Sequence, residues 1–208
     1  MASHRRALKQ TNLIGLETLA LEQGGYFNRR DALKYGLGDS LLRYHTQAGR
    51  FERILLGVYR LRTAPVSPYD EYLLAWIWTN YRGAISHESA LALYDLGDIL
   101  PNRVHVTVPR PFHRISAPFT VHLAPLPEGD VQPYNGVNVT TAARSIIDAA
   151  STGTDPTQIH KVVHEALARG LVNAPALRAA AFRRGNRYRR NVRQLVEEAL
   201  AGAVRRAR

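Results

Sequence analysis

His160 and His164 stand four residues apart with Glu165 beside them, the spacing at which two imidazoles on one helical face can share a metal ion. No third ligand is identifiable, Asp155 and Asp148 being only speculative ones, so the stretch reads as a solvated helix face and no metal is expected. Ser86-His87-Glu88-Ser89 gathers hydroxyl, imidazole and carboxylate in one run. It lacks the glycines of a nucleophile elbow, and a helix cap explains Ser86 better. Phosphoryl transfer calls for a glycine-rich phosphate loop and paired metal-binding acids. Gly24-Gly25 instead closes a helix, and neither GxxxxGK[ST] nor a kinase catalytic loop occurs. Were a nucleotide bound, Asp148 and Lys161 would be the first contacts to test. The competing explanation is that Asp148 caps or bridges structure and Lys161 is solvated.

The cations offer a different chemistry. Among 208 residues, 28 are Lys or Arg against 17 Asp or Glu, a formal net charge of +11. Twenty-five of the 28 are arginine, whose planar fork suits phosphate. Residues 1–68 carry +6, residues 69–168 carry −4 and residues 169–208 carry +9, so basicity sits at the two ends. Polyanionic partners are favoured, nucleic acid first. Cysteine is absent, which excludes disulfides and thiolate-bound zinc. Neither a signal peptide nor an apolar run long enough to span a membrane is found, so a cytoplasmic protein without membrane attachment is expected.

The elements that must position these groups follow from periodicity. Leu13, Leu16, Leu19 and Ala20 mark a first helix stopped by Gly24-Gly25. Asn28 caps a second, with Asp31 at its third position and Gly36 as its stop. A third runs from Asp39 or Ser40 to Ala48, with Leu41, Leu42 and His45 inward and Ser40, Arg43, Tyr44 and Gln47 outward. His45 reads as a packed core histidine. Two β-rich runs around Gly57, Phe51–Leu56 and Val58–Leu61, make a wing hairpin. Together they form a winged helix-turn-helix over residues 1–65. Arg43, Gln47 and Tyr44 would reach base edges of double-stranded DNA, and Arg29, Arg30, Arg50, Arg53 and Arg60 would neutralise its backbone.

Pro65 and Pro68 mark a seam, beyond which residues 66–208 read as a second, α+β domain. It opens on an apolar helix from Pro68 to Trp78, holds strands over Val104–Val108 and Phe119–Leu123, and ends in helices over Ala174–Phe182 and Asn191–Val204. Arg183, Arg184, Arg187, Arg189, Arg190 and Arg193 cluster around Gly185 with Tyr188 among them, a second surface for a polyanion or an acidic partner. Leu195, Val196, Ala199, Leu200 and Ala203 stripe the last helix for packing.

Several motifs in order carry a resemblance. Gly57-Val58-Tyr59, then Ile85-Ser86-His87-Glu88-Ser89-Ala90-Leu91, then Val104-His105-Val106-Thr107-Val108-Pro109, then Gly136-Val137-Asn138-Val139-Thr140 with Ala143-Arg144-Ser145-Ile146-Ile147-Asp148, resemble the AbiEi-type antitoxin family. Within that family the chain is similar to antitoxins of mycobacterial nucleotidyltransferase-toxin modules. Ser145 stands where the family usually has threonine. The resemblance implies a winged helix that binds operator DNA to repress its own operon, and a C-terminal domain that neutralises a cognate nucleotidyltransferase toxin. A homodimer on two half-sites is the usual geometry. No cofactor is expected on this reading. The alternative is an atypical serine/threonine kinase that phosphorylates the toxin, using ATP and Mg.

Overall fold

Asn12 begins the described chain's first helix, α1 (Leu13–Glu22), its side chain accepting from the Gly15 amide. The structure is a computed structural model; it describes residues 11–114, 118–183 and 190–206, and divides into two units, Met1–Tyr81 and Arg82–Arg208. After α1 the chain turns through Gly24 and Gly25, both at positive φ. A Cβ on Gly25 would stand 2.3 Å from that of Ala64, so this turn requires glycine. Strand β1 (Tyr26–Asn28) follows, and Asn28 then caps α2 (Arg29–Lys34). Its side chain accepts from the Arg30 and Asp31 amides while Asp31 accepts from the Asn28 amide at 3.1 Å, a reciprocal capping box.

Helix α3 (Asp39–Gln47) has Gly38 at its N-cap, one residue before Asp39 and two before Ser40, the caps expected from the sequence. The wing is β2 (Phe51–Leu55) and β3 (Val58–Leu61), antiparallel around Gly57. β1 pairs with the other edge of β3, giving the order β1-β3-β2. Beneath it lie Leu16, Phe27, Leu37, Leu42, Phe51 and Leu61. Phe27 meets the Phe51 ring at 5.0 Å, near perpendicular, and stacks with Tyr59 at 5.6 Å.

Helix α4 (Asp70–Trp78), expected to open the second domain, packs on β1 and β3 and belongs to the first unit. Two polar ties account for this. Asp70 lies 3.5 Å from the Arg60 guanidinium, and the Tyr81 hydroxyl donates to the buried Asp31. Pro65 and Pro68 thus bend the chain inside a unit instead of separating two.

The second unit is α+β, as expected. Its five strands are β4 (Ala84–Ile85), β5 (His105–Val108), β6 (Thr120–Leu123), β7 (Val131–Tyr134) and β8 (Val137–Thr140), in the order β6-β5-β4-β8-β7. β5 runs parallel to β6 and β4 parallel to β8, while β4–β5 and β7–β8 are antiparallel. Around the sheet lie α5 (His87–Leu93), α6 (Ala142–Thr152), α7 (Pro156–Ala168), α8 (Ala174–Arg183) and α9 (Arg190–Arg206). α5 packs on α6, and α7 on α9. Val192, Val196, Ala199 and Leu200 of α9 are buried, so the apolar stripe finds its partner within the unit.

Candidate nucleic-acid interface

The inner side of α3 is fixed by Leu42, fully buried, and by His45, whose ring lies 5.4 Å from that of Phe51. At 3.6 residues per turn this leaves Ser40, Arg43, Tyr44 and Gln47 on the other side, all exposed. Tyr44 is 61% exposed, a large fraction for an aromatic ring. Leu41, expected inward, is exposed as well, which broadens the outer face. Such a face carries donors and acceptors on a rod that fits the roughly 12 Å major groove.

The flanking arginines divide by partner. Arg30 and Arg53 are exposed, at the start of α2 and on the wing. Arg50, exposed, faces the half-buried Glu17 at 3.5 Å, a pair near the surface that a phosphate can displace at little cost. Arg29 is tied to Asp39 through Nε at 2.6 Å and Nη2 at 2.7 Å, bridging the first residues of α2 and α3. That hydrogen bond holds the Asp39 carboxyl below the usual carboxylate range and raises the Arg29 guanidinium.

Arg60 differs from the phosphate contact that the sequence suggested. Its guanidinium donates to the Ala64 and Pro65 carbonyls at 3.1 and 2.7 Å, faces Asp70, and lies 5.3 Å from the Tyr26 ring centroid. The side chain is only 12% exposed. It secures the segment after the wing and is correspondingly withdrawn from solvent.

The remaining candidates are dispersed. Asp148 is fully buried and accepts from Arg144 Nε at 2.8 Å, while Arg144 Nη1 donates to Asp130 at 2.6 Å. Lys161 is exposed and donates to Asp98, with Glu165 at 3.8 Å. Glu165 also accepts from the Gly97 amide at 2.7 Å, so it serves the fold beside His160 and His164 on α7. Arg183 lies 3.6 Å from Asp130. Arg184, Arg187, Tyr188 and Arg189 fall outside the described residues, so the second basic surface is not placed as a whole. Sequence spacing gave no sign of another group: His87, His105 and His122, on three separate elements, bring ligand nitrogens within 4.8 Å of one another.

A helix-turn-helix with a wing and an exposed polar, cationic α3 gives the first unit the form of a winged-helix module. Residues 16–62 match the model of a family described as transcriptional regulator, AbiEi antitoxin. No curated protein sequence matches significantly. Among solved structures, the RV2827C protein from Mycobacterium tuberculosis is similar, with a TM-score of 0.60 at 14% identity. The match covers 91% of this chain and 75% of that one, and at such identity it is a likeness of fold. Among the described residues, no helix is long and apolar enough to cross a membrane.

Proposed function

We propose that this chain is an antitoxin that represses its own operon, reading operator DNA through α3 and neutralising a cognate nucleotidyltransferase toxin through the rest of the molecule. The observation that carries the reading is the exposed α3 face, set on a winged helix whose sequence matches AbiEi regulators. Arg43 and Gln47 are the base readers, with Ser40 and Tyr44 beside them; Arg30, Arg50 and Arg53, and Arg29 once Asp39 releases it, take the phosphates. Arg60 is left out because its Nη2 is engaged within the unit and the side chain is withdrawn from solvent. A cytoplasmic setting and binding as a homodimer to paired half-sites belong to the same reading. The toxin's class rests on the resemblance of the motifs in the second unit.

Arg43→Ala combined with Gln47→Ala tests the DNA half. Each lost base contact is worth about 1–3 kcal/mol of discrimination. Affinity for a duplex from the chain's own promoter should fall roughly tenfold or more while non-specific binding persists, as read by fluorescence anisotropy. Wild-type affinity in the double variant sinks the assignment. For the toxin half, the toxin encoded beside this gene is co-expressed and the mixture sized and weighed intact. A lasting complex with unmodified toxin supports steric neutralisation. A phosphate-sized mass gain without a complex establishes the kinase alternative, for which Asp148 and Lys161 already have partners of their own.

A further inference from the structure

We infer that His87, His105 and His122 form a binding site for one divalent transition-metal ion of the zinc class, clamping α5 to the β5–β6 edge of the second unit's sheet. The proposal is independent of the DNA and toxin readings. His105 and His122 lie on the adjacent parallel strands β5 and β6, diagonal to one another, His105 pairing with Thr120 and His122 with Thr107. Their Nδ1 and Nε2 atoms lie 3.2 Å apart. Two nitrogens bound tetrahedrally to zinc, each at about 2.0–2.1 Å, are separated by about 3.4 Å, so this pair already has ligand spacing. His87 enters from the first residue of α5, fully buried, and supplies the third nitrogen within the same 4.8 Å.

Polar groups stand behind two of the three rings. Glu88 Oε2 lies 3.9 Å from His105 Nε2, the ring nitrogen opposite the one that faces His122. Its other oxygen accepts from Thr154 Oγ1 at 2.7 Å, which steadies the carboxylate. Ser86 Oγ lies 2.9 Å from His87 Nδ1 and accepts from Thr107 Oγ1 at 2.8 Å, which makes Nε2 the ligand atom of His87. A hydroxyl beside His87 and a carboxylate beside His105 stand where the outer partners that fix tautomer and ring direction lie in histidine metal sites.

A second observation concerns the backbone. His87 sits at φ 55°, in the left-handed region, at a buried helix start. Non-glycine residues avoid that region unless something holds them there, and such outliers concentrate at ligand sites. The His87 ring lies on that of His122, with centroids 3.6 Å apart and planes at 16°. Closing three nitrogens on one ion therefore calls for a tilt of the His87 ring about its side-chain torsions while the His105–His122 spacing stays as it is. Three imidazoles leave a fourth tetrahedral position for water. The ion would add a cross-link to β6, which ends the sheet and pairs on one side only.

The test uses the full untagged chain, stripped with chelator and dialysed. Zinc titrated calorimetrically should bind at one ion per chain, and cobalt(II) should give the intense visible bands of a tetrahedral nitrogen site. His105→Gln and His122→Gln should each weaken zinc at least tenfold and abolish the cobalt bands, and Glu88→Gln should weaken it about tenfold. His160→Gln with His164→Gln should leave both readings unchanged. Circular dichroism on the same samples confirms that each variant is folded; if the histidine variants are not, the wild-type cobalt spectrum decides alone. Octahedral, weak bands, binding well below one ion per chain, or loss of binding with the His160/His164 pair overturns the site.

Discussion

The Arg29 guanidinium cannot serve Asp39 and a DNA phosphate at once, and this competition can be measured. Asp39→Asn removes the negative charge at the first residue of α3 and releases Arg29. Each phosphate neutralised adds about 0.9 to the slope of log affinity against log salt, so the variant should bind tighter at low salt with a slope steeper by about one. Arg53→Ala should flatten the slope by a similar amount. Arg60→Ala should leave it unchanged and lower the melting temperature, because its donors hold Ala64 and Pro65. A flatter slope in Arg60→Ala would put that residue back on the DNA. The sequence places Arg53 and Arg60 on the same hairpin with equal claims. Only the return of the chain through Pro65 toward Asp70 separates them, and that return is a tertiary fact.

Tyr94 offers a pH-dependent test of the second unit at the same scale. Its hydroxyl donates to the Thr140 carbonyl at 2.9 Å, and burial pushes its pKa up to about 12. An unfolded tyrosine ionises near 10. Its contribution is therefore complete below pH 10 and is lost as pH rises through 12. The stability gap between wild type and Tyr94→Phe, from denaturant titrations, should narrow by about 1 kcal/mol between pH 9 and pH 11. A constant gap would mean that the hydroxyl ionises as it does in the unfolded chain.

Among elements, α2 is short and depends on its ends. Six residues cannot hold a helix by propensity, so the Asn28–Asp31 box and the Tyr81 hydroxyl on Asp31 carry it. Asn28→Ala should cost about 1 kcal/mol, and Tyr81→Phe about 1–3 kcal/mol by leaving the buried carboxylate short of a donor. For a unit of this size each kcal/mol lowers the melting temperature by about 4–8 °C. Unchanged melting in both variants would mean that packing alone holds α2. The helices and wing were legible because Leu16, Ala20 and Leu42 recur at helical spacing and Gly57 divides two β-rich runs. β1 was not, since Tyr26–Asn28 is too short to show alternation and its partners lie 30 to 34 residues on. The parallel β5–β6 pairing was equally hidden, and with it the approach of His105 to His122. Two strands with similar alternation say nothing about which way they run beside each other.

For the whole molecule, the division of the chain is itself testable. Pro65 and Pro68 suggest a cut near residue 65, and a fragment ended there would keep the three helices and the wing. It would lose α4, which covers β1 and β3, together with the Asp70 partner of Arg60 and the Tyr81 partner of Asp31. Asp31 would then be a carboxylate with no hydroxyl beside it, and the apolar floor under Leu73, Ile77 and Trp78 would face water. A fragment of residues 1–81 should fold cooperatively and bind the promoter duplex with a salt slope near that of the full chain. The 1–65 fragment should melt at least 10 °C lower or fail to give a cooperative transition, and lose specific binding in proportion. Equal melting of the two fragments would place α4 outside the winged-helix unit after all. A 1–81 fragment that folds but binds only weakly and without sequence preference would show that operator recognition needs the second unit, as a dimerising element or through the basic residues near the C-terminus.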